Sequence, residues 1–280
     1  MGPYPWFPSE AGRRGRMQSW HLTFATDGRN PLCPEEGARL AMVRALARVA
    51  GEHAVLFCVV DDHIHLVVLC ERQEAGRIAQ RLSLALRPLA AVEVDPARVR
   101  PVESRSHLQS LVRYVLDQPR HHHLGEHPGL FAGSCFVDLV GARVLDGLKL
   151  RIQDALPRLR LRDVYQSVGL RPVRLTSATK DEIRAAGAVR LATAGAAALG
   201  VEPTLESKRP SAVKARTAVC RIGNSVGIPA SELAFALGIT QRAVRRLADR
   251  VVDERLLVSV ALRLALEDAV REQTRSVAQP

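Results

Sequence analysis

The chain has no long apolar run. Its longest strictly apolar stretch is Ala54 to Val60, seven residues, against the roughly 20 a helix needs to cross a bilayer. The first sixteen residues, MGPYPWFPSEAGRRGR, hold three prolines and a charge cluster but no apolar centre of the kind a signal peptide carries. Cysteine is sparse, with five residues (Cys33, Cys58, Cys70, Cys135, Cys220), an odd count, and no C-x-x-C pair. These absences point away from a membrane protein or a disulfide scaffold, and toward reduced thiols in the cytoplasm. There is no internal repeat and no low-complexity tract.

Lysine is also scarce, because 36 of the 40 basic residues are arginine. What is present is an ordinary globular composition, 47% apolar and 25% charged over 280 residues. That is enough chain for one large domain or two ordinary ones, and it excludes disordered and collagen-like chains. Forty basic residues against 29 acidic leave a net charge of +11. The excess is uneven: residues 1–150 carry 18 basic and 16 acidic side chains, residues 151–280 carry 22 and 13. Arginine's planar fork suits phosphate, so a basic C-terminal half points to a polyanionic partner, most often nucleic acid.

Periodicity sets the expected elements. Residues 20–25 (WHLTFA) alternate as a strand, and Asp27-Gly28 with Asn30-Pro31 mark a turn. Leu40, Met42, Val43, Leu46, Val49 and Ala50 give a helix over 34–50, with Pro34, Glu35 and Glu36 suited to its first turn. Residues 54–60 read as a buried strand, Asp61-Asp62 as a tight break, and 63–69 as the next strand of a hairpin. A helix is expected from Gln73 to Leu89, then a loop over 90–103 with at most one short strand. A further helix from His107 should end at Gln118, because Pro119 disfavours helical geometry in the residue before it. This order predicts an α+β fold: a ferredoxin-like antiparallel sheet with helices on one face. Residues 124–150, with Gly125, Gly133 and Gly141, read as a connecting segment. The texture then turns helical and Arg/Ala-rich, with an exposed loop at Pro203 to Pro210.

Two histidines stand out. Side chains alternate across a strand, so His63 and His65 in HIH share one face. Such a pair can ligate one divalent ion, or can simply be hydrogen-bonded histidines at a strand end. Tyr114 and Gln118, in LVRYVLDQP, are four residues apart and lie about one helical turn apart on one face. They can offer a nucleophile and a neutral third ligand; equally, Tyr114 can pack in the core while Gln118 ends the helix. His121, His122 and His123 follow directly, and can touch DNA or metal or form a solvated loop.

D-H-I-H-L after a buried strand, Y-V-L-D-Q-P some fifty residues later, and R-x-x-x-W-H-L-T-F near the start together resemble the single-tyrosine HUH transposases. The similarity is to the branch of REP-associated tyrosine transposases, and it covers about residues 13–145. In that family the strand reads roughly N-H-V-H-L and the helix Y-I-x-x-N-P or Y-I-x-x-Q. The resemblance implies that His63 and His65 are metal ligands, Gln118 the third ligand and Tyr114 the nucleophile. Arg16 and His21 match the family's first strand. Asp62 stands where the family has Asn, and Asp61 where it has Pro; both alter the turn and remove no ligand.

The implied chemistry is cleavage of single-stranded DNA at hairpin-associated sites, with Mg²⁺ or Mn²⁺ neutralising charge on the phosphate. Tyr114 forms a 5′-phosphotyrosine link and releases a 3′-hydroxyl, so a second 3′-hydroxyl can reverse the step and join DNA. Such enzymes often act as homodimers. Arg13, Arg14 and Arg16 either hold phosphate near the first strand or form a flexible basic tail.

Residues 229–251 (PASELAFALGITQRAVRRLADRV) read as helix-turn-helix. Ala234, Gly238 and Val244 have the required spacing, and Leu233, Leu237, Ile239 and Leu247 supply the inner surface. Gln241, Arg242, Arg245, Arg246 and Arg250 then face outward, where they can reach duplex phosphates and base edges. With amphipathic helices over 211–222 and 256–270, this half loosely resembles the DNA-binding domain of DnaA-type initiators. The expected organisation is a catalytic domain over 13–145, a helical connection over 146–210 and a helix-turn-helix domain over 211–280. Two other readings remain: a catalytically retired DNA-binding regulator, and a metal-dependent hydrolase that uses water in place of Tyr114.

Overall fold

The computed structural model describes residues 17–278 except 27, 29, 172–175, 203–204 and 206. Arg13, Arg14 and Arg16, the turn residue Asp27 and the loop residue Pro203 lie outside the described residues. The chain is α+β: a four-stranded antiparallel sheet and, among the described residues, twelve helices.

Strand β1 (Gln18–Ala25) alternates as its sequence does, with Leu22 and Phe24 fully buried and Ser19, His21 and Thr23 half-exposed. Helix α1 (Glu36–Ala50) buries Leu40, Val43, Leu46 and Ala50 at helical spacing and starts with Glu36 in its first turn, where a carboxylate favours the positive end of the helix dipole. The hairpin β2 (Ala54–Val59) and β3 (His63–Cys70) follows, and both strands are almost wholly buried. Helix α2 (Arg72–Leu86) stops short of the expected Leu89, since Pro88 has no N–H to continue the ladder. Strand β4 (Arg98–Pro101) is short, exposed and at the edge, a position that tolerates its proline. The order across the sheet is β2-β3-β1-β4, every neighbour antiparallel.

Helix α3 (Arg105–Leu116) is capped by Ser104, whose hydroxyl accepts from His107 N–H at 3.1 Å. It ends two residues earlier than expected. Asp117 (φ −91°, ψ 0°) then leads into a separate turn, α4 (Gln118–His121), with Pro119 in its first turn. A missing N–H costs nothing there, so the proline opens a new turn where it was expected to close the helix.

Helical cover is not confined to one face, which corrects that expectation. All six residues of β2 are buried, and alternating side chains can be buried throughout only when both faces are covered. Helices α1 and α2 pack together against the sheet, whereas Tyr114 of α3 meets His65 on the histidine face.

Residues 124–150 are more than a connection. Ser134 bridges to Cys58, Val59 N–H donates to Gly133 O at 3.0 Å and Cys135 N–H to Phe57 O at 3.1 Å, so this segment covers the outer edge of β2. Glycine is needed there, because a Cβ at Gly133 would lie 2.1 Å from Val59 O. Arg143 holds the segment closed. It is 5% exposed and donates to both oxygens of Asp138 (2.8 and 2.5 Å) and to the carbonyls of Ala132 and Ser134 (2.6 and 2.8 Å). Short helices α5 (Phe136–Leu139), α6 (Ile152–Ala155) and α7 (Leu161–Ser167) complete this part.

A second core is all-helical. It is built from α8 (Lys180–Ala198), α9 (Pro210–Ser225), α10 (Ala230–Leu237), α11 (Gln241–Ala248) and α12 (Glu254–Ala278). Gly238 follows α10 in the left-handed region (φ 61°), which glycine adopts without the steric cost of a Cβ. Thr240 then caps α11, accepting from Ala243 N–H at 3.2 Å. Helix α12 belongs to both cores: Leu256, Val260 and Leu264 pack in the second, Leu266 and Val270 in the first.

Candidate metal centre

The register of β1 with β3 builds the site. Thr23 pairs with His65 and His21 with Val67, so His21 and His65 lie on one face with His63. The turn before β3 is pinned from outside: Asp61 ion-pairs with Arg39 and its carbonyl accepts from Cys33 N–H at 3.2 Å. His63 starts the strand only 15% exposed, and His65 is 5% exposed.

Three donor atoms converge. His63 Nε2 lies 2.8 Å from His65 Nε2 and 3.2 Å from Gln118 Oε1. Gln118 is 1% exposed, and its Nε2 donates to the Tyr114 carbonyl at 3.2 Å, which turns Oε1 toward the histidines. The outer nitrogens are also engaged: Asp62 Oδ1 lies 2.6 Å from His63 Nδ1, and His21 Nε2 lies 3.0 Å from His65 Nδ1. With neutral rings, His63 Nδ1–H donates to Asp62 and His65 Nδ1–H to His21 Nε2, which leaves both Nε2 lone pairs facing Gln118 Oε1 and one another, an arrangement that a cation satisfies.

Burial disfavours charge on two of these rings. It holds His65 down to about 3, helped by the neighbouring His63, His21 and His122. His21 is lowered to about 4, again by burial first, then by the positive potential of His107 and Arg100. At neutral pH both are uncharged, the form a metal requires of imidazole.

A second donor set shares His63. Asp62, His63 and His122 bring ligand atoms within 4.8 Å of one another and could hold a metal ion. His122 lies 3.8 Å from Asp62 Oδ1, with its ring 4.9 Å from that of His63. Around His63, Asp62 Oδ1 lies against Nδ1, whereas His65 Nε2 and Gln118 Oε1 lie against Nε2. A ring that donates Nδ1–H to Asp62 has no Nδ1 lone pair to give, so the 2.6 Å contact favours the Nε2 side.

Tyr114 stands at the mouth of the cluster. It is 48% exposed, and its ring meets His65 edge-on at 5.1 Å. The residues singled out from sequence here, His63, His65, Tyr114 and Gln118, are therefore brought together. His21, Asp62 and His122 complete the cluster; sequence reasoning had placed His21 in the first strand, Asp62 in the turn and His122 in the loop after the helix.

Gln241, Arg242, Arg245, Arg246 and Arg250 lie elsewhere, on and just beyond α11 in the second core. All five are exposed. Leu233, Leu237, Val244 and Leu247 are buried beneath them, and Ile239 is half-buried.

Comparison with protein-family models, with curated proteins and with solved structures returns no match. No described helix is long and apolar enough to cross a membrane.

Proposed function

We propose that the chain is a metal-dependent, single-tyrosine DNA strand transferase similar to the REP-associated tyrosine transposases. The observation that carries this reading is the meeting of His63 Nε2, His65 Nε2 and Gln118 Oε1 within 3.2 Å of the shared His63 atom, with Tyr114 alongside. Ligands at right angles, each about 2.1 Å from an ion, are about 3.0 Å apart, close to the two separations measured from His63 Nε2. The element order β-α-β-β-α-β and strand order β2-β3-β1-β4 support the ferredoxin-like assignment of this half.

Mg²⁺ or Mn²⁺ held by His63, His65 and Gln118 would neutralise charge on the phosphate oxygens. The chain's own residues do the rest. Asp62 and His21 fix the ring orientations, and Gln118 ties the ligand set to the backbone of the helix that carries the nucleophile. Tyr114 attacks the scissile phosphorus, the bond to the 3′-oxygen breaks, and the DNA stays joined through a 5′-phosphotyrosine.

In this reading α10 and α11 act as a helix-turn-helix that binds duplex DNA and helps select the site. The exposed arginines of α11 equally favour a second reading, a DNA-binding regulator without catalysis. Incubation with labelled single-stranded hairpin DNA and Mn²⁺, followed by a denaturing gel, separates the two. A denaturation-resistant adduct that disappears in Tyr114→Phe and His63→Ala is expected. Cleavage that survives Tyr114→Phe without an adduct would establish a hydrolase, and duplex binding without cleavage would establish the regulator.

A further inference from the structure

The face that carries His63 and His65 continues past the site. Directly opposed residues in antiparallel strands project to the same side. The rows Arg98–Thr23–His65 and Arg100–His21–Val67 therefore put both β4 arginines on the histidine face. β4 is the edge strand and all four of its residues are exposed. Neither arginine has an ion-pair partner among the described residues.

Between these cations and the histidines lies an open floor. On β1 the side facing α1 and α2 is buried, whereas Ser19, His21, Thr23 and Ala25 on the histidine side are half-exposed. Exposed His107 and Tyr114, seven residues apart and so on one face of α3, stand along it. The result is a half-exposed strip of sheet with the donor cluster on one side and two unpaired guanidiniums on the edge strand, two strand spacings or roughly 10 Å from His65. Planar guanidiniums fit phosphate oxygens, and exposed rings beside a cationic track suit unstacked bases over a duplex.

We propose that Arg98 and Arg100 form a phosphate-binding track on the β1–β4 face that holds the single-stranded DNA flanking the reacting phosphate. This rests on the strand-transferase reading and adds residues that the family motifs do not name. It also assigns two elements different forms of DNA: single strand to β4, duplex to α11.

The test uses the full chain with EDTA, so that binding is read apart from chemistry. Fluorescence anisotropy with a labelled oligothymidine and with a labelled duplex is measured from low to moderate salt. Arg98→Ala/Arg100→Ala is compared with wild type and with Arg98→Lys/Arg100→Lys. For the single strand, the alanine pair is expected to flatten the slope of log K against log salt by about 1.4, two contacts at about 0.7 each. The lysine pair should recover most of that slope, and duplex binding should be unchanged. An unaltered single-strand slope in the alanine pair, or an equal loss on duplex, overturns the track. Adduct gels with Mn²⁺ keep the two claims apart. An arginine-dependent slope without any adduct retains the track and refutes the transferase; a normal adduct with an unaltered slope does the reverse.

Discussion

The two donor sets around His63 make opposite predictions for single substitutions, and the outcome locates the ion. If the cation sits on the Nε2 side, Asp62 acts only through the ring, as the acceptor 2.6 Å from Nδ1. Removing a group that orients a metal-bound histidine weakens metal binding by roughly 10–100-fold, equivalent to about 1.4–2.8 kcal/mol. That agrees with the roughly 1.5–3 kcal/mol of a hydrogen bond to a charged group. Asp62→Ala is thus expected to raise the Mn²⁺ dissociation constant by one to two decades. Asp62→Asn, which keeps an oxygen acceptor, should cost less than one decade. Gln118→Leu removes a donor and should cost at least as much as Asp62→Ala, while His122→Ala should change little. Isothermal titration of Mn²⁺ into the apo protein reads all four, with circular dichroism to check folding. Should His122→Ala and Asp62→Asn abolish binding while Gln118→Leu leaves it intact, the ion lies on Asp62, His63 and His122 and the Nε2 assignment is wrong.

Four further outcomes follow from particular contacts. The folded-state values of His21 and His65 lie below that of a free histidine, so the unfolded chain takes up protons below about pH 6.5 that the folded chain refuses. Stability of the chelated protein should be full above that pH and fall by on the order of 2–3 kcal/mol by about pH 4.5, with His21 discounted for its partial exposure; a urea titration that is flat across this range contradicts the burial argument. Arg143→Met strands the Asp138 carboxylate in a site where both side chains are at most 5% exposed, and should cost about 3–5 kcal/mol by denaturant melt. Gly238→Ala has open space for its methyl but a φ of 61°, so it should destabilise by about 1 kcal/mol through backbone strain alone. On duplex DNA, Arg242→Ala/Arg246→Ala should flatten the salt slope by up to about 1.8 without touching adduct formation on a pre-melted hairpin; an unchanged slope removes these arginines from the duplex contact.

Local pattern carried much of the sheet. The alternation of residues 20–25, the apolar run from Ala54 and the period of two through HIH place β1, β2 and β3 within a residue or two, because those patterns depend on burial alone. The convergence of His63 and His65 follows from the same alternation. His21 is different. Its contact with His65 depends on which residues of β1 and β3 face each other, and no local pattern encodes that register. His122 reaches Asp62 only because the chain turns back through α4, and Pro119 had been read as an end. The glycines between 124 and 150 have the texture of a linker, yet Gly133 is there to let its backbone reach Val59. A glycine that gives freedom and one that permits close approach look identical in a sequence. The second face of helical cover has no local signature either: a fully apolar strand such as β2 shows that both its faces are buried, but not what buries them.

Helix α12 gives the chain an order of completion. The sheet and the donor cluster are made from the first half of the sequence, but Leu266 and Val270 are part of the same core. During synthesis that half emerges first and must wait, with apolar surface uncovered, until the last helix has been made. A ribosome stalled after α11 would hold a protein whose ligand residues all exist and whose core is still open. The sheet beneath the donor cluster and the helices beside α11 thus share one closing element, and a chain cut before α12 leaves apolar surface uncovered in both.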